Sequence, residues 1–271
     1  MWIKTVLVGP YDDPLSLQVM QAACAIVVIR MLLGEITGDG LRYSKFARTS
    51  GFTLPPKVAW GALYLPPSLL CAAFLLLKLS HSPLLPAASN PRLLLVASAF
   101  ALHFLKRCLE VLFVHKFSGS MEVRMIVLIA GACIMTCVLI LYAQQIAAER
   151  EEPAIDLKVW GVGVFLVGIV GNFYHHYLLA TLRSDKEPKG DKKRYKVPHG
   201  GLFTWVVCPH YLFESIDFLG IAMMSQTSAA LLLFMGLSSC LCARSYKTKA
   251  WYLQNVEGFP PQRKPFFPFL F

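Results

Sequence analysis

The 271-residue chain is 56% hydrophobic and only 15% charged, which excludes an ordinary water-soluble globular domain and points to a polytopic membrane protein. Its net charge of +10 would also suit nucleic acid. The Lys and Arg residues, however, gather in alternate loops between apolar stretches, as membrane topology requires, so no nucleic-acid partner is expected.

Met1 to Asp13 is mixed in character and carries Pro and Asp, which does not read as a cleavable signal, so the first apolar stretch is expected to be retained. That stretch, Leu17 to Leu33, is the first of seven predicted spans, each about long enough to cross a hydrocarbon core of roughly 30 Å. A loop rich in Gly, Thr and Pro follows, Gly34 to Pro56, with Arg42, Lys45 and Arg48. The second span, Val58 to Leu77, contains Tyr64-Leu65-Pro66-Pro67, so its helix is expected to be kinked or interrupted there. Tyr64 beside that break either points inward or simply packs.

The third span, Leu93 to Val114, holds His103, Lys106, Arg107 and Glu110. Spacings of three and four put them on one helical face, with Leu105, Leu109 and Leu112 elsewhere. Arg107 and Glu110 either neutralise each other at a helix interface or belong to a polar stripe lining a water-filled or ligand-filled cavity. The fourth span, Met125 to Tyr142, leads into an acidic loop with Glu149, Glu151, Glu152 and Asp156. In the fifth, Val159 to Leu182, Asn172 and His176 recur with Arg183 at about helical spacing, and Gly161, Gly163, Gly168 and Gly171 permit close packing.

The polar loop Ser184 to His199 ends in Tyr195-Lys196, an aromatic ring beside basic residues suited to a phosphate-bearing ligand. Gly200-Gly201 then opens the sixth span, Phe203 to Met223, which carries His210, Tyr211 and Glu214. The seventh, Ala229 to Cys242, precedes a tail in which Arg244, Thr248 and Tyr252 share a face. Basic residues favour the loops after spans one, three, five and seven, so the predicted fold is an all-α membrane protein. It is a seven-transmembrane helix bundle with a lumenal N-terminus and a cytosolic C-terminus. The eight cysteines form no C-x-x-C pair and the seven histidines no repeated boxes, so no metal is expected.

Several segments resemble the steroid 5α-reductase family of membrane NADPH-dependent reductases. They are Lys106-Arg107-x-x-Glu110 with Val114-His115-Lys116-Phe117-Ser118, Gly171-Asn172, Gly200-Gly201-Leu202-Phe203, Cys208-Pro209-His210-Tyr211-x-x-x-Glu214, Arg244, and Trp251-Tyr252 through the Phe-rich end. The resemblance covers the last 170 or so residues well and the first 90 weakly, and within the family it is similar to a plant group. It implies a single membrane reductase domain over residues 1–271, with substrate-side helices to about 120 and an NADPH-binding part beyond. A lipid substrate would enter from the bilayer, in the endoplasmic reticulum membrane.

Matched position by position, Arg107, Asn172, Arg183, Tyr195, Lys196, His210, Glu214, Arg244 and Tyr252 fall where the family holds NADPH. His176 and Thr248 align there too, in place of the usual Asp and His. The Glu and Tyr that hydrogen-bond the substrate ketone in steroid reductases correspond to Tyr64 and Phe104, and of these only the phenol can donate. The very-long-chain enoyl reductase branch uses a Lys and a Tyr that align with Lys106 and Tyr211. Tyr64, Tyr211 and Lys106 are therefore the catalytic candidates. The resemblance implies reduction of a C=C bond conjugated to a carbonyl, foremost in a 3-oxo-Δ4-steroid. The alternatives are a trans-2-enoyl-CoA reductase of fatty-acid elongation and a non-catalytic lipid-binding membrane protein.

Overall fold

Among the described residues seven long helices alternate in direction along the chain. In the computed structural model, which describes residues 6–8, 13–38, 40, 46, 51–80, 90–117, 120–182 and 195–270, they are α1 (Leu15–Thr37), α2 (Pro56–Leu79), α3 (Pro91–Leu109), α4 (Val123–Ala147), α5 (Lys158–Thr181), α6 (Pro209–Ser225) and α7 (Ser228–Asn255). Five of them, α1, α2, α4, α5 and α7, are long and apolar enough to cross a membrane. Helix α3 carries Arg92, Lys106 and Arg107, and α6 has 17 residues with Glu214 and Asp217 inside. Length and hydropathy alone therefore do not mark those two.

Two boundaries, and the interruption expected in the second span, differ from the sequence expectation. Helix α2 runs unbroken through Pro66 and Pro67. Each proline removes one backbone donor, to the carbonyls of Ala62 and Leu63, and the remaining ladder and the packing of Ala59, Leu63 and Cys71 carry the helix on. The last turn of the third span, Glu110–Val114, is π-helical rather than α-helical. Helix α7 continues to Asn255 because the polar face that ends the hydropathy signal at Cys242 is buried against the protein: Arg244, Ser245, Thr248 and Tyr252 all lie inside.

Alternation puts the starts of α1, α3, α5 and α7 at one end, with the finishes of α4 and α6. A clasp ties that end together. Asn90 caps α3 by accepting the Arg92 backbone N–H at 2.8 Å, and the Arg92 side chain, 1% exposed, reaches across the bundle. It donates to Glu152 Oε2 (2.9 Å), Asp156 Oδ1 (2.9 Å), Met224 O (2.7 Å) and Gln226 Oε1 (2.9 Å). Gln226, in the left-handed region at φ 52°, passes the linkage on from its amide to Val6 O and Ile155 O.

At the other end, the two-residue strands β1 (Thr53–Leu54) and β2 (Met121–Glu122) pair antiparallel and stitch the approach to α2 to the approach to α4. The tightest seam joins α5 to α6. A Cβ on Gly161 would meet the backbone of Gly220 and Met224, one on Gly168 the backbone of Asp217, and one on Gly171 the ring of Phe213. These glycines let two antiparallel backbones approach where lipid supplies no hydrophobic drive between helices.

The clasp has a measurable signature. The Arg92 hydrogen bond holds the Glu152 carboxyl below the usual carboxylate range. A depressed folded pKa contributes stability above the unfolded value of about 4.3, and that contribution is lost as pH falls through the folded value. Arg92→Met should lower stability in detergent by about 1–3 kcal/mol for each buried acceptor left without a donor. It should also flatten the acid-side fall of the unfolding midpoint, followed by thermal unfolding between pH 3 and 7.

Candidate active site

Polar side chains converge where α3 ends, α5 ends and α6 begins, with α2 alongside. The second half of α3 and the π-turn after it point Leu102, Leu105, Leu109 and Leu112 outward and the polar stripe inward, as the spacing predicts. Glu110 is the centre. Its carboxylate, 1% exposed, lies 3.1 Å from Lys106 Nζ and 2.7 Å from Arg107 Nη1. It also lies 3.1 Å from His176 Nδ1 and 3.8 Å from His115 Nε2. The π-turn accounts for His115: its backbone N–H bonds back to Glu110 O at 2.8 Å, the i+5 geometry that returns the fifth residue over the first.

Arg107 links the network to α2. Its Nη2 donates to Tyr64 Oη at 2.8 Å, and the guanidinium lies 4.8 Å from the Tyr64 ring centre. Tyr64 stacks on Trp60, which stacks on Phe117. Asn172 links the network to α6. Its Oδ1 accepts from Lys106 Nζ, and its Nδ2 donates to His210 O at 2.8 Å and lies 3.5 Å from Glu214 Oε2. The His210 ring neighbours that of His176 at 5.5 Å.

Of the residues singled out in the sequence, Tyr64, Lys106, Arg107, Asn172, His176, His210 and Glu214 thus form one connected group. Three others sit in an adjoining aromatic cluster, which meets the group where the Tyr211 ring lies 4.2 Å from that of His210. Tyr211 packs with Val207, Cys208, Tyr252 and Phe259, Tyr252 stacks on Phe259 at 4.8 Å, and Tyr195 meets Trp251 edge-on at 4.7 Å. Lys196 beside it is exposed. Arg244 pairs with Glu35 of α1 at 2.7 Å and lies over the Phe46 ring, and Thr248 is buried one turn on. Arg183 lies outside the described residues.

The chain's end braces this region. Lys264 N–H donates to Trp205 O, Val207 N–H to Lys264 O, and Arg263 Nη1 to Pro198 O. Behind the loop, His175 Nδ1 donates to Gly171 O at 2.7 Å, which leaves Nε2 to accept the Leu202 N–H at 3.1 Å. Gly201, at φ 49°, lies so close that a Cβ would strike that ring.

Glu110, His115 and His176 bring three donor atoms within 4.8 Å of one another. Both Lys106 and Arg107 already occupy the same carboxylate, so a divalent ion would have to displace a guanidinium.

Sequence reasoning missed Glu35, Asp217 and, as a site residue, His115. Asp217 had a signal, since it stands three after Glu214 and seven after His210 on one face of α6. Glu35 had none, because it falls just past the first apolar stretch.

The bundle and this buried polar group define a membrane protein with acid–base and cationic side chains gathered at one end. The profile of the 3-oxo-5-alpha-steroid 4-dehydrogenase family matches residues 120–271. The bovine (Bos taurus) 3-oxo-5-alpha-steroid 4-dehydrogenase 1 is 26% identical over 91% of this chain and 93% of its own length. The Solanum lycopersicum steroid 5-alpha-reductase DET2 is 28% identical over 82% and 84%. A Dictyostelium discoideum very-long-chain enoyl-CoA reductase is 29% identical over 63% of this chain and 56% of its own length. The chain belongs to the 3-oxo-5-alpha-steroid 4-dehydrogenase family, a family of oxidoreductases acting on C=C bonds.

Glu110→Gln tests the centre directly. It keeps the shape and removes the charge between two buried cations, so stability in micelles should fall by about 3–5 kcal/mol. Unfolding by denaturing detergent measures it.

Proposed function

We propose that the chain is a membrane-embedded, NADPH-dependent reductase that saturates a C=C bond conjugated to the carbonyl of a lipid, foremost a 3-oxo-Δ4-steroid. The observation that carries this reading is the Arg107–Tyr64 hydrogen bond. Arg107 donates to Tyr64 Oη, so the phenol's own hydrogen is free to donate elsewhere. A donor aimed at the oxygen where negative charge develops is what conjugate reduction requires.

The cofactor is an anion, and the chain's donors fit it. Arg107 Nε and Arg263 Nε are buried and have no partner among the described residues. Tyr195, Lys196, Thr248 and Tyr252 lie at the same end, so Arg107, Asn172, His210 and Glu214 would hold the cofactor together with them and with Arg183 and Arg244. When bound, NADPH supplies the hydride for the β-carbon. Tyr64 donates to the carbonyl oxygen as charge accumulates there. The Lys106 ammonium, held by Asn172 and Glu110, gives a proton to the α-carbon, and water reprotonates the amine. Tyr211, whose ring lies 4.2 Å from that of His210, is the alternative proton donor.

All seven helices are read as spanning the endoplasmic reticulum membrane, with the polar site at the cytosolic end where the basic loops gather. Lipid substrate and membrane lipids are the partners. A second reading, reduction of a trans-2-enoyl-CoA, is favoured by the engagement of Lys106 and by the relative named as an enoyl-CoA reductase.

NADPH oxidation by purified protein in nanodiscs, with progesterone or with a long-chain 2-enoyl-CoA, separates the two; oxidation with neither overturns both. Tyr64→Phe should lower kcat by about 10²-fold, the usual loss of one oxyanion donor, with NADPH affinity unchanged. Asn172→Ala should weaken NADPH binding, measured by fluorescence titration. Arg107→Ala should depress both quantities, because it holds Tyr64 as well.

A further inference from the structure

One buried pair lies outside the network just described. His103 Nδ1 on α3 is 3.2 Å from Asp217 Oδ2 on α6, with His103 3% exposed and Asp217 0%. The imidazole is enclosed by the rings of Phe104 and Phe218 at 5.1 and 5.0 Å. Asp217 Oδ1 is buried with no partner among the described residues, so among them the carboxyl's hydrogen bond is the one to the imidazole.

Its place in the bundle gives the pair its meaning. Helices α3 and α6 run antiparallel, and polar contacts tie them at two levels. Arg92 reaches Met224 O and Gln226 at the clasp end, and His103 reaches Asp217 further along. Lys106 follows His103 by one turn, and Glu214 precedes Asp217 by one turn. The second tie therefore sits immediately below the level at which Lys106 meets Asn172, and Asn172 approaches Glu214. Lys106 and Asp217 also lie close enough to feel each other's charge. Asp217 is seated against α5, where Gly168 meets its backbone without room for a Cβ. Without the His103 contact, the direct polar contacts left between α3 and α6 among the described residues would be those of Arg92, which is 14 residues from Lys106, or about 21 Å at 1.5 Å per residue, with the Phe100–Phe218 ring contact between them.

We propose that His103 and Asp217 form a positioning pair that sets the height of Lys106 against Asn172 and Glu214, and so governs turnover rather than cofactor affinity. This rests on the reductase reading in one respect only, that Lys106 serves the reaction. Neither residue touches the reacting atoms.

The double variant His103→Leu/Asp217→Leu tests it. Replacing both partners of a buried pair with apolar groups of similar size is compatible with folding, whereas removing one leaves a charge stranded. In the double variant kcat should fall by about 10²-fold, the cost of a roughly 1 Å misplacement, while the Kd for NADPH stays within about twofold. His103→Asn, whose amide can still donate to Asp217, should recover most of the rate.

A second readout needs no turnover. Acylation of Lys106 by acetic anhydride, mapped by peptide mass spectrometry with the exposed lysines as internal reference, should accelerate several-fold in the double variant and return to the parent rate in His103→Asn. The proposal is overturned if Lys106 reactivity is unchanged, if kcat is unchanged, or if kcat and NADPH affinity fall in the same proportion. If the unsubstituted chain oxidises NADPH with neither substrate, the reductase reading and with it the turnover claim fall, while the acylation rates still decide whether the pair positions Lys106.

Discussion

A carboxylate taken out of water into an apolar bundle costs several kcal/mol unless charge and hydrogen bonds are returned to it, and the arrangement around Glu110 follows from that constraint. Lys106 and Arg107, one helical turn back, both reach the same carboxylate, and His176 arrives from α5. The π-turn that begins at Glu110 brings His115 over it from the following loop. Burial, with positive neighbours adding to it, pushes the His115 imidazole down to about 2, so it stands there neutral and adds no third cation. One anion thus recruits groups from α3, its terminal turn and α5, and Arg107 carries the connection on to α2.

The surroundings keep that group in place. At the far end Arg92 binds the start of α3, the acidic loop and the finish of α6, so the helices are registered before they reach the site. The α5–α6 seam is fixed by glycines that admit no side chain. Long apolar faces such as Ile26 and Ile29 of α1 and Leu69 and Leu76 of α2 are exposed.

Much of this was legible from one-dimensional spacing. Polar residues three and four apart in an apolar span must share a face, and lipid forbids that face to point outward, so the stripe from His103 to Glu110 and the pair Asn172 and His176 could be read directly. What spacing cannot give is the partner on another helix. Arg244 was legible as a buried cation, but its contact with Glu35 depends on α1 and α7 lying side by side. Asp217 shares a face with Glu214, yet its value comes from His103 across the bundle. The π-turn at Glu110 left no trace, because apolar Val111 to Val114 suits an α-turn equally well. The length of α7 was understated for a related reason: hydropathy registers the polarity of Arg244 to Lys249 and not its burial.

The phenol at position 64, where the family resemblance implies a carboxylic acid, then has a physical rationale within the proposed reaction. A carboxyl in direct contact with a guanidinium ionises, since the ion pair stabilises its charged form, and an ionised carboxylate can only accept. A phenol, with an ordinary pKa near 10, keeps its proton beside the same cation. Arg107 can therefore donate to the Tyr64 oxygen and polarise the O–H without removing its hydrogen. Tyr64 and Arg107 form a donor pair in which each depends on the other, and Glu110 is what holds Arg107 at the right place to complete it.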